Sequence, residues 1–141
     1  MPPLWPAPIP EMRTLDTNVV VRLLIGDDPI QTPIAERAFL DAIARGGVYL
    51  PDVVLAEVGW VLRGYGLDRE SRYALLERLV RTRGVVVEDI DAVIDALEQY
   101  RHGSDLADQL ILARASRLQA LPVLTFNARF STSEGVEILK A

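Results

Sequence analysis

Four acidic residues stand where a carboxylate is either costly or useful. Asp16 follows a short extended run, Arg13–Leu15, and precedes an apolar helical pattern, which puts it at a strand-to-helix junction. Aspartate at such a junction also serves well as a helix cap. Glu57 has Val53, Val54, Trp60 and Val61 three and four positions away. A carboxylate on so apolar a face is penalised unless it reaches solvent, pairs with an arginine or binds a metal. Asp105 and Asp108 are three residues apart and share one face in the first turn of a predicted helix. The helix dipole favours acids there in any case. Carboxylates that converge without a cation repel one another, and some must keep their protons. A divalent metal ion resolves that conflict, acidifies a bound water and stabilises charge on a scissile phosphate.

Other chemistries lack their residues. The chain has no cysteine, so it offers no thiol nucleophile and no cysteine-held zinc. His102 is its one histidine, placed beside Gly103 in a predicted loop and expected at the surface. A multi-histidine metal centre and a Ser–His–Asp triad are therefore disfavoured, whereas oxygen ligands suit Mg²⁺, Mn²⁺ or Ca²⁺. There is no glycine-rich phosphate loop and no nucleophile elbow. The net charge of −5 opposes a polyanion, so any nucleic-acid contact needs a local basic surface. Fourteen of the fifteen basic residues are arginine, and Arg22, Arg63, Arg114, Arg117 and Arg129 are candidates for phosphate contact. Trp60 and Phe126 are expected in the core rather than as stacking platforms.

Positioning those acids requires a regular framework. The 141 residues suit one domain able to bury a core. Five prolines among the first ten residues predict an extended, disordered leader over 1–11, followed by a single domain over 12–141. No segment reads as a signal peptide or a membrane span, and the expected location is the cytoplasm. Helices are predicted over 17–25, from a Thr32 cap to Arg45, from an Asp52 cap to Arg63, from an Asp68 cap to Thr82, from about Ile90 to Tyr100, and through Leu118. Short strands fall at 13–15, 48–50, 85–87, 123–125 and 136–139. Strands alternating with helices imply an α/β fold, a mostly parallel sheet with helices on both faces. Ligands in such folds gather at the carboxyl ends of the strands.

Four segments in order, LDTNVVVRLL at 15–24, AEVGWVLR at 56–63, DLADQLILARA at 105–115 and VLTFNARF at 123–130, resemble the PIN domain family, and within it the VapC-like toxins of toxin–antitoxin pairs. The resemblance covers Met12 to Ala141. It implies a PIN-like three-layer α/β/α sandwich and an endoribonuclease dependent on Mg²⁺ or Mn²⁺. Asp16, Glu57 and Asp108 match the family's three acids and would be both metal-binding and catalytic; Asp105 matches a further acid that some members carry. Thr17, Asn18 and Thr125 fall on polar positions that line the site. Asn127 departs from the pattern, since the family usually has aspartate after Thr-Phe. An amide oxygen can ligate a metal or orient a water but brings no charge, so the departure implies weaker binding of any second metal. Implied partners are RNA as substrate, a cognate antitoxin protein, a second copy of the chain, and DNA only indirectly through the antitoxin. An impaired PIN-like module that binds RNA or protein without cutting is the alternative. A phosphatase opening on a strand-end aspartate nucleophile ranks last, because its usual second aspartate is Asn18 here.

Overall fold

A computed structural model describes residues 11–141 of the chain. Apart from Glu11, the proline-rich leader lies outside the described residues. Strand β1 (Arg13–Thr14) leads into helix α1 (Thr17–Ile25), and helix α2 (Gln31–Arg45) returns to strand β2 (Val48–Leu50). Helices α3 (Asp52–Gly64) and α4 (Arg69–Val80) precede strand β3 (Val85–Val87). Helices α5 (Ile90–Arg101) and α6 (Leu106–Arg117) then lead to strand β4 (Val123–Thr125), a 3₁₀ turn over Phe130–Thr132 and strand β5 (Val136–Ile138).

Every strand pairing among the described residues is parallel, as expected of strands separated by helical crossovers. The ladders fall into two pieces, β1-β2-β3 and β4-β5, rather than one continuous sheet. Register is set by pairs such as Arg13 with Val48 and Val48 with Val85, and by Val123 with Val136 in the smaller piece. The helices cover these short strands: α3 packs on α1 and α6, α5 on α4 and α6, and both α4 and α5 touch β3. The result is a mixed α/β sandwich with helices packed against short parallel strands.

One core extends from Leu15 beside β1 to Leu110 on α6, with Val20, Val48, Leu50, Val58, Leu62, Leu76, Val93, Leu97 and Leu106 fully buried. Gly59 lets α6 come close to α3. A Cβ at that position would lie 2.9 Å from Leu106 Cδ2 and 3.2 Å from its Cβ, closer than side chains pack. Beside it the Tyr100 hydroxyl, buried with its ring, donates to the Gly59 carbonyl at 2.8 Å and ties α5 to the same point. Burial pushes the Tyr100 pKa up, which keeps that donor protonated.

Two helix starts differ from expectation. α2 begins before Thr32: Ile30 holds its cap position, and Asp28 Oδ1 accepts from the N–H groups of Ile30 and Gln31 at 2.9 and 2.7 Å. Thr32 is carried into the first turn and buried. Pro51 occupies the cap position of α3, leaving Asp52 as its first helical residue and free to face charged groups across the sheet.

Candidate active site

The acids are placed by the starts of α1 and α6 and by the middle of α3. Asp16 follows β1 and caps α1, with its Oδ1 accepting from the Thr17 N–H at 2.8 Å. The functional and capping roles are therefore compatible in one residue: the second carboxylate oxygen is not used by the cap. Thr17, itself buried, turns its hydroxyl across to α3 and donates to Glu57 Oε2 at 3.0 Å. Glu57 is thereby tied to the residue beside Asp16, although 40 positions separate Thr17 and Glu57.

One turn further along α3, Trp60 reaches the other half of the site. Its indole N–H donates to Asp105 Oδ2 at 2.9 Å. Asp105 caps α6, its Oδ1 accepting from the Asp108 N–H at 3.0 Å, so both of its oxygens are engaged. Asp108 follows in the first turn, half-buried. Its pKa is raised, first by burial and then by the Asp105 charge. Gln109, buried beside it, donates to Ser133 Oγ at 3.3 Å and anchors this turn to the segment before β5.

Asp105, Asp108, Asn127, Trp60, Arg63 and Arg129 line one cleft of about 570 Å³. Asn127 follows β4, and Thr125 Oγ1 accepts from its N–H at 3.0 Å. The Asn127 side chain does a structural task of its own. Its Oδ1 accepts from the Arg129 and Phe130 N–H groups at 2.9 and 3.3 Å and holds the 3₁₀ turn. An aspartate would cap that turn equally well, so the turn geometry does not demand the amide. Asn18 is exposed on the first turn of α1.

The expected convergence of three acids into one cluster is not present. No group of three or more His, Cys, Asp or Glu side chains among the described residues is close enough to hold a metal ion. The acids stand instead as two halves, Asp16 with Glu57 and Asp105 with Asp108, joined through α3. This still fits magnesium chemistry, because Mg²⁺ keeps several waters and is commonly bound by one or two carboxylates plus substrate phosphate. None of the four acids pairs with a cationic side chain among the described residues.

Several surroundings differ from those inferred from periodicity. Glu57 is exposed, and so are its apolar neighbours Val53, Trp60 and Val61, because no element covers that side of α3. Trp60 and Phe126 are 67 % and 72 % exposed, not core residues. His102 is at the surface, as expected, 3.1 Å from Glu98. Arg22, Arg114 and Arg117 are held by carboxylates of the fold. Arg63 and Arg129 have no carboxylate partner among the described residues, and both line the cleft.

The profile of the PIN domain family matches residues 14–134. The chain belongs to that family, whose domains are generally metal-dependent nucleases. No curated protein and no solved structure shows significant similarity to it.

Proposed function

We propose that the protein is an endoribonuclease that hydrolyses RNA phosphodiester bonds with Mg²⁺ or Mn²⁺. The observation carrying this reading is the Asp105–Asp108 pair, which faces an open cleft with no cationic partner among the described residues while the Asp108 pKa is already raised. Such a pair is neutralised most readily by a divalent ion. Asp108 would hold it from this cleft, while Asp16 and Glu57, the other half of the site, would reach it through metal-bound water. A bound metal supplies an acidified water and stabilises charge on the phosphate. The chain's own residues do the rest: Thr17 fixes the Glu57 carboxylate, Asp105 orients the start of α6, and the Asn127 turn closes the far wall.

The ordered motifs at 15–24, 56–63, 105–115 and 123–130 support a VapC-like toxin within the family. Its activity would be checked by a cognate antitoxin, with DNA touched only through that antitoxin. Exposed apolar side chains on α2 and at its cap position, Ile34, Leu40 and Ile30, suit a homodimer. A cytoplasmic setting belongs to the same reading; no helix among the described residues is long and apolar enough to cross a membrane. A non-catalytic binding module is favoured by one observation, that Asn127 is spent on capping a turn and brings no charge.

The test is cleavage of a mixed RNA pool by antitoxin-free protein in chelator, Mg²⁺ and Mn²⁺, beside Asp16→Asn. Metal-dependent cuts that disappear in the variant are expected. Wild-type protein that cuts under no metal leaves the binding module; a variant that cuts at the wild-type rate removes Asp16 from the chemistry.

A further inference from the structure

An exposed tryptophan is usually a mobile one, since nothing packs against it. Trp60 is different: 67 % of it is open to solvent, yet its indole N–H is held by Asp105 at 2.9 Å. The ring is thus fixed in orientation at the mouth of the cleft while its face stays free. Asp105 accepts that bond on Oδ2 and the Asp108 N–H on Oδ1, which gives it a positioning role for both the ring and the start of α6.

The cleft around the ring also holds positive charge not consumed by the fold. Arg63 follows Trp60 by three positions on α3 and shares its face. The Arg129 guanidinium donates to the Gly103 carbonyl at 2.9 Å, a neutral acceptor that leaves its charge available. Arg69 reaches the same turn: a Cβ at Gly103 would meet its Cζ at 2.8 Å and its two terminal nitrogens at 2.9 and 3.0 Å. Neither Arg63, Arg69 nor Arg129 pairs with a carboxylate among the described residues. A rigid aromatic face flanked by unneutralised guanidinium groups matches an unpaired base between phosphates. An aromatic ring accepts any base by stacking, and arginine grips the backbone.

We propose that Trp60 is a base-stacking platform for a single-stranded nucleic acid, oriented by Asp105, with Arg63 and Arg129 holding the phosphates on either side. The proposal deepens the nuclease reading by naming where the substrate strand is gripped, and it rests on that reading for the identity of the strand. Gly103 belongs to the same device, because its missing side chain lets Arg69 approach the turn whose carbonyl holds Arg129.

The test separates grip from cutting. A Trp5→Phe background leaves Trp60 as the chain's one tryptophan, and the probe is a short oligouridylate end-labelled with fluorescein, in chelator at low salt. Binding is expected to quench Trp60 emission. Trp60→Ala should weaken binding about 5- to 150-fold, the range for loss of one base–aromatic stack, and Trp60→Phe should recover most of it. Arg129→Ala should lower the slope of log affinity against log salt by about 0.7, one phosphate's share on a single strand. Asp105→Asn, which keeps an oxygen for the Asp108 N–H, should free the indole and lower its fluorescence anisotropy before any RNA is added. No binding by the parent protein, or equal binding by Trp60→Ala, overturns the proposal. So does a Trp60→Ala variant that binds RNA normally but turns a dimer into a monomer, which would make the indole a protein contact. Quenching without metal-dependent cleavage would keep the platform and refute the nuclease; cleavage without Trp60-dependent binding would do the reverse.

Discussion

Helix α6 serves two groups of carboxylates that have opposite fates. At its C-terminal half, Arg114 lies 3.6 Å from Asp52, 3.7 Å from Glu88 and 3.5 Å from Asp89, and Arg117 lies 3.4 Å from Asp89 and 3.2 Å from Asp95. Asp52 and Glu88 follow the ends of β2 and β3, the edge where an α/β fold gathers ligands. There the acids are neutralised by the protein itself. The Asp52 pKa is still raised by burial and by the Glu88 charge, with Arg114 opposing, while Asp89 is lowered, first by the Ala92 N–H and then by both arginines. At its N-terminal end the same helix offers Asp105 and Asp108 to an open cleft with no such partner. The placement of arginine distinguishes the two groups: Arg114 and Arg117 pair with the acids of the first, and no arginine pairs with Asp105 or Asp108 among the described residues. One is a structural network; the other, under the proposed function, is where a cation would bind.

The largest effect expected from breaking this contrast is on activity. Asp108→Asn and Glu57→Gln should each reduce RNA cleavage well beyond the ~10- to 100-fold loss seen when only a group supporting a ligand is changed, with circular dichroism unaltered. Arg114→Ala should act in the opposite sense, leaving cleavage per folded molecule intact and weakening the fold. Removing the shared partner of three acids in a part-exposed network should cost about 1–2 kcal/mol, or a melting temperature lower by roughly 3–8 °C. Equal losses of activity in both classes of variant would erase the distinction.

Metal and pH provide a finer comparison. Magnesium or manganese at about 100 times its dissociation constant should add ~2.7 kcal/mol to stability, and Asp108→Asn should lose most of that gain. A carboxyl with a higher pKa in the folded state than in the unfolded one holds its proton more tightly when folded. Its favourable contribution is full below the unfolded value and disappears as pH rises through the folded one. In metal-free protein, acidification toward the ordinary aspartate range should therefore stabilise wild type relative to Asp108→Asn; a pH-independent difference between their denaturation midpoints would refute this. Asn127→Asp should have the smallest effect. Because the Asn127 Oδ1 cap on Arg129 and Phe130 can be made by aspartate, stability should hold while metal affinity rises by less than about tenfold. Affinity unchanged on calorimetric titration would contradict it.

Much of the framework could be read from the residues. Alternating apolar periods predict α1, α5 and the three central strands closely, and Asp68 caps α4 through the Ser71 N–H at 2.8 Å as its type suggests. Capping competition was harder to read: Asp28 pre-empts Thr32 by supplying an acceptor one turn earlier. The acids themselves stand out by type and local spacing, but their partners do not. The Asp52–Glu88–Arg114 network joins residues far apart in the chain, and no local pattern announces it. Trp60 differs from its expected core position for a related reason. Periodicity places it on a face with Val53 and Val61 but says nothing about whether another element covers that face, and none does. A hint was available in Arg63, since a basic residue one turn beyond suits an outward-facing ring better than a buried one. The capping role of Asn127 likewise depends on the 3₁₀ turn after β4, which the apolar pattern does not predict.

The most direct measurement is the broadening of backbone amide resonances by substoichiometric Mn²⁺ in the full chain. If the unpaired carboxylates are the cation site, signals of Thr17, Glu57 and Asp108 should broaden first, while those of Asp52, Glu88 and Asp89 stay sharp. Broadening centred on Asp52 and Glu88, or spread evenly over acidic surface residues, would contradict the claim that arginine pairing separates the two groups.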